Sequence, residues 1–123
     1  MAYEIPVLSI TLVASTDLSD YQYRFLAVDA NGEAELVDAA ATHPVGVLQN
    51  EPDEDESGTV MVYGVSKVVA GDAVDAGDLV RSDTVGRAVS AGAGEVVAGI
   101  ALESADAAGE IIPVLLTPGG LYS

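Results

Sequence analysis

The residues most able to do chemistry are the acids of "NEPDEDESG", residues 50–58. Asp53, Asp55 and Ser57 alternate ahead of Gly58, which is the first half of a calcium loop: oxygen ligands at every second position and then a sharp turn. The second half is missing. The bidentate carboxylate should stand eleven residues after Asp53, where the chain has Gly64, and the flanking stretches read as strands. The run therefore reads first as a solvated loop between strands, with a looser cation site at Asp53, Asp55 and Ser57, or a contact for basic groups of a partner, as the other readings.

No other constellation supports catalysis. His43 is the only histidine, precedes Pro44 and has no G-x-S-x-G elbow to serve. "GAGE" at 92–95 lacks the Lys-Ser/Thr of a phosphate loop and the dinucleotide spacing. Asp72, Asp75 and Asp78 would converge only on a helix, which Gly71 and Gly77 oppose. Lys67 stands between Ser66 and Val68 inside an alternating strand, not at the hairpin tip of a biotinyl or lipoyl carrier. Tyr21 and Tyr23, two apart, read as one strand face available for core or subunit contact. No catalytic residue, cofactor or small-molecule substrate is expected.

The elements that carry these residues read as all-β. Apolar bursts are short and bounded by Gly, Asn, Asp and Pro, and no long stretch holds a helical stripe. The best helical candidate is one turn in "LESADAAGE" (102–110). "FLAVDANGEAELV" (25–37) has a hairpin layout with Asn31-Gly32 at a type I′ turn, and "DLVRSDTVGRAVS" (78–90) repeats it. Gly32/Gly86, Gly46/Gly99 and Gly58/Gly109 form a nearly constant offset, which suggests a duplicated hairpin-plus-two-strands unit. Two such units make a small β-barrel or β-sandwich-like single domain over residues 21–118. Residues 1–20 precede it as an extended arm or a first strand, and 119–123 read as a flexible tail.

The chain has 123 residues, with 20 Asp and Glu against 4 Lys and Arg and a formal net charge of −16. That field repels nucleic acid and anionic membrane, so neither is an expected partner. With no cysteine, disulfides and thiolate metal sites are excluded. Scarce lysine beside abundant acid favours adaptation to molar salt, where the Debye length shrinks from about 8 Å to about 3 Å.

The order of "HPVGVLQNEP", "GTVMVYGVSKVVAG", "VDAGDLVRSD", "GRAV", "VAGIALESA" and "IPVLLTPGG" resembles the capsid decoration (cement, or head-stabilising) proteins of tailed viruses and prophages, over about residues 21–120. The resemblance implies a small β domain, often a homotrimer, on the outer face of the shell. There it bridges subunits of the major capsid protein without catalysis or cofactor. The acid excess then suggests a halophilic, even haloarchaeal, host. For the capsid contact, "IPVLSITLVAS" offers Ile5, Val7, Leu8, Ile10 and Leu12 as a strand to add to a coat-protein sheet edge; Tyr21 and Tyr23 are the candidates for contact between copies. A turret, spike-base or host-surface adhesion domain of the same virion is the alternative. The charge reading is tested by melting the protein across a salt series: the melting temperature should rise from low to molar salt, and a flat or falling curve refutes salt adaptation.

Overall fold

In the computed structural model, which describes residues 2–39 and 42–121, nine strands form one antiparallel sheet curled into a half-barrel. They are β1 (Ile5–Val13), β2 (Phe25–Val28), β3 (Ala34–Leu36), β4 (Gly46–Leu48), β5 (Ser57–Val69), β6 (Leu79–Ser82), β7 (Ala88–Ser90), β8 (Val96–Ala101) and β9 (Ile111–Leu121). Their order is β3-β2-β4-β5-β9-β8-β6-β7, with β1 paired to β5 off that path. Residues 102–110 hold bends and turns but no helix, because Ala105 is drawn into a bridge with Val74 and Gly109 takes a left-handed φ of 94°. Residues 5–13, read from sequence as arm or first strand, lie along β5 as β1. β9 continues to Leu121, and Tyr122 and Ser123 of the expected tail lie outside the described residues.

The duplication is written in the register. Leu26–Leu36 and Val28–Ala34 in the first hairpin recur as Val80–Ser90 and Ser82–Ala88 in the second. Val47–Met61 and Leu48–Val60 recur as Ile100–Leu115 and Ala101–Val114. The unit is also longer than the hairpin and two strands expected. Val13 pairs with Ser57 as Val69 pairs with Ile111, so β1 stands to the start of β5 as the end of β5 stands to β9.

This register corrects one of the three glycine matches. Gly32/Gly86 and Gly46/Gly99 are equivalent, but Val60 opposite Val114 sets Gly109 against Asp55, not Gly58. The backbone agrees. Asp55 N–H donates to Ala14 O at 2.9 Å with φ 66°, and Gly109 N–H donates to Ala70 O at 2.8 Å with φ 94°. Likewise Tyr23 (φ 65°) matches Gly77 (φ 90°), their amides bound to Leu48 O and Ala101 O. Tyr23 and Asp55 are the non-glycine residues with positive φ among those described, and both stand where the second half has glycine.

The expected type I′ turn is also corrected. Gly32 has φ 78°, but Asn31 is not left-handed. Asp29 accepts from the N–H of Gly32 through its carbonyl, giving a four-residue turn closed by a left-handed glycine. The reason is Asp29 itself, whose Oδ1 accepts from Asn31 and Glu33 N–H, both at 2.9 Å.

Two apolar clusters result. The larger joins both halves through Phe25, Val47, Met61, Val68, Val80 and Val114. The smaller belongs to the first half and contains Leu18, Leu26, Leu48 and Val60, with Ile10 and Leu12 of β1 packed on it. β4 and β8 sit so close to their neighbours that only glycine fits. A Cβ on Gly46 would enter the Met61 carbonyl, and one on Gly99 would lie 2.5 Å from Leu115 O. Gly99→Ala should therefore cost about 3 kcal/mol in chemical denaturation. Asp55→Gly should leave stability unchanged or raise it by up to about 1 kcal/mol, since it removes left-handed strain. A marked loss in Asp55→Gly would refute the assigned register.

Candidate docking surface

The acidic loop is organised by its backbone bonds. Glu56 Oε1 accepts from Asp53 N–H at 2.8 Å, and Glu110 Oε2 repeats this on Asp106 N–H at 3.1 Å. Asn50 Oδ1 accepts from Thr59 N–H, Pro52 is buried, and its carbonyl accepts from Leu18 N–H. Of the cation-site candidates, Asp55 is the left-handed residue and Ser57 opens β5 opposite Val13. Among the described residues, no group of three or more His, Cys, Asp or Glu is placed to hold a metal ion.

A different surface stands out at β1. From residue 5 to residue 16 the chain carries no charged residue. β1 pairs only with β5, so among the described residues its other edge has no strand partner. The five apolar residues singled out in sequence divide. Ile10 and Leu12 turn onto the smaller cluster. Ile5, Val7 and Leu8 are exposed at 55%, 74% and 47%, and Tyr63, the partner of Leu8 on β5, at 52%. Val7 is the most exposed because it is the extra residue of a bulge, skipped between the pairs Pro6–Gly64 and Leu8–Tyr63. Gly64 makes this approach possible: it adopts φ 119°, and a Cβ there would enter Ile5 O. Lys67 and Glu4, 3.8 Å apart, form an ion pair at the start of β1. An uncharged edge with exposed aliphatics is a template for another strand, which proteins keep open only where something covers it.

Tyr21 and Tyr23 do not share a strand. They lie in the turn before β2, where Tyr23 must be left-handed. Both rings are half-buried, and each faces a cation of its own chain: Arg24 over Tyr21 at 5.3 Å and Lys67 over Tyr23 at 5.6 Å. Gln22 between them donates to Gln49 O at 2.8 Å. Asp72 and Asp75 are exposed turn residues, while Asp78 accepts from Asp75 N–H and from the Ser90 hydroxyl. His43 is exposed beside buried Pro44.

Comparison with known proteins decides what kind of molecule presents this surface. The family model for the phage cement protein matches residues 7–116. This chain belongs to the phage cement protein family. It is thus a capsid-associated structural protein of the virion. Its fold is similar to the crystal structure of the head fibre gp8.5 N base of bacteriophage phi29, with a TM-score of 0.70 and 25% identity, over 89% of this chain and 93% of that one. No curated protein matches.

In this cement protein the acid of the 51–56 loop reaches beyond its own hairpin. The negative charges of Asp17 and then Glu56 push the Asp53 carboxyl up from its ordinary value. Asp17 moves the other way, because Ser19 N–H donates to its Oδ1 at 3.0 Å and favours the anion. A raised folded pKa makes ionisation of Asp53 unfavourable to the fold, so its contribution improves as pH falls through that pKa. A lowered one makes Asp17 stabilising above its unfolded value of about 4 and lost below it. Asp53→Asn should therefore melt higher than the wild type at pH 7 in low salt. The gain should vanish near pH 4 and in molar salt. A neutral-pH loss in Asp53→Asn would contradict the repulsion.

Proposed function

We propose that this protein decorates the outer surface of an icosahedral capsid and stabilises it by bridging neighbouring subunits of the major capsid protein. It does so without catalysis or cofactor, and β1 makes the contact. The observation that carries this reading is the charge-free, half-paired β1 on a chain of net −16. A coat-protein strand added to that edge gains main-chain hydrogen bonds and apolar contact with Ile5, Val7 and Leu8, and meets no carboxylate of the chain between residues 5 and 16. Ile10 and Leu12 serve the contact from behind, by fastening β1 to the smaller cluster.

The acid elsewhere keeps the outward surface hydrated, and its excess over lysine supports a host living in high salt. Copies act together, and a homotrimer is the reading retained. Several modest contacts on one rigid body bind at high effective concentration, and binding only to the assembled lattice shifts that lattice toward its stable form by mass action. The likeness to the N base of a head fibre favours a second reading, in which the same seat carries a projection or turret above the shell.

The contact is tested with Val7→Asp and purified capsids lacking the protein. Val7 sits on an exposed bulge, so the variant should melt within about 0.5 kcal/mol of wild type. Its capsid affinity should fall about tenfold or more, as expected for a charge buried without a partner. Undiminished binding by Val7→Asp would refute β1 as the contact. Ile10→Asp should instead lose stability in the free protein.

A further inference from the structure

The two halves share one frame but differ in how the strip beside each hairpin is filled. In the first half, the strip beside β2 is filled by the tip of the second hairpin, residues 83–87. Phe25 N–H donates to Gly86 O at 2.7 Å, and Arg24 Nη1 donates to Val85 O at 3.1 Å. Gly86 is buried, and a Cβ there would lie 2.7 Å from Leu36 Cδ1 and 2.9 Å from Phe25 O. The tip therefore fits because it carries glycine.

By the register, Arg24, Phe25 and Leu36 correspond to Asp78, Leu79 and Ser90. In the second half these residues, with Gly77 and Ala91, line an open groove of about 280 Å³. Its backbone is built the same way. Ala91 N–H donates to Leu79 O at 2.8 Å, as Val37 N–H does to Phe25 O at 3.2 Å. In an antiparallel strand a residue's N–H and C=O point to one side, so Leu79 N–H faces this groove as Phe25 N–H faces Gly86.

The matching tip is residues 29–33, and it is free. Asp29 Oδ1 holds Asn31 and Glu33 N–H there, as Asp83 Oδ1 holds Val85 and Arg87 N–H at 2.9 and 2.8 Å in the filled case. Gly32 is exposed, with nothing within 4 Å of the place its Cβ would take. One chain thus holds a filled tip-and-groove pair, an empty groove and an unused tip of the same construction.

We infer that a second copy of this chain inserts its 29–33 tip into the groove at Gly77–Leu79 and Ser90–Ala91. Gly32 O of the incoming tip accepts from Leu79 N–H, as Gly86 O does from Phe25 N–H. Asn31 replaces Val85, and Asp78 replaces Arg24. The side-chain amide of Asn31 therefore donates to the Asp78 carboxylate where Arg24 donated to a carbonyl. The contact is heterologous, so each copy gives one tip and receives another, and the copies close into a ring where the rotation permits. Asp29 and Glu33 on the tip and Asp78 in the groove carry the same sign, so association strengthens with salt. None of this depends on capsid binding.

Two variants and their mixture test the contact by sedimentation velocity in molar salt. Gly32→Asn keeps a residue tolerant of the left-handed region in a position open to solvent, yet places a Cβ against Leu79 O, as one on Gly86 would lie 2.9 Å from Phe25 O. Ser90→Tyr fills the groove. Wild type should associate, each variant should be monomeric with an unchanged melting temperature, and the equimolar mixture should give a dimer and nothing larger. Only the tip of Ser90→Tyr and the groove of Gly32→Asn remain intact in that mixture. The inference is overturned by a monomeric wild type, by either variant associating like wild type, or by a mixture that stays monomeric. If a variant fails to fold, Asn31→Cys/Ser90→Cys replaces it, since the chain has no cysteine of its own. Its oxidised form should run as covalent multimers, and a monomer would count against the contact.

Discussion

Every part of this molecule hangs on β5, the one strand that both halves share. Its first residues pair with β1 and β4, and its last with β9. Met61 and Val68 enter the larger cluster while Val60 and Val62 enter the smaller. Even its buried hydroxyl is used across the sheet: Ser66 Oγ accepts from Gln49 Nε2 at 2.9 Å and donates to Lys67 O. A load taken up by β1 therefore passes directly into the strand that fastens both clusters. That property suits the bridging role proposed for this protein.

Repetition supplies the frame, and departures from it supply the surfaces. Where the backbone turns left-handed, the second half has Gly77 and Gly109, while the first half tolerates Tyr23 and Asp55. The loop before β5 keeps the carboxylate the frame needs, Glu56, which Glu110 matches before β9. Asp53 is matched by Asp106, whereas Glu51, Glu54 and Asp55 have no acidic counterpart in "SADAAGE". They add charge to the surface without adding to the frame. A calcium-like spacing arises there because two unrelated demands, a capped turn and an acidic exterior, fall on one short stretch.

Much of the fold was legible in the sequence because glycine marks close approach. Gly46 and Gly99 stand where a Cβ would meet a neighbouring carbonyl, so their spacing reports a real equivalence. Gly58 misled, since Gly- and Val-rich strands match one another in several registers and only cross-strand pairing chooses among them. Tyr21-Gln22-Tyr23 alternates like a strand, and the left-handed turn it makes shows only when Tyr23 is set against Gly77. At the candidate surface, the apolar character of β1 was legible but its division was not. The bulge that expels Val7 depends on Gly64, fifty-odd residues away in sequence and opposite in the sheet. Local periodicity carries no trace of such a contact.

Family membership shows a capsid-associated structural protein, and the uncharged half-paired strand and acidic exterior are the grounds for the proposal that it coats the shell in many copies. The most direct measurement is the copy number of this chain relative to the major capsid protein in purified virions. Decoration predicts a number close to that of the major capsid protein. A handful of copies per particle would contradict it and would place the protein at a single vertex or appendage.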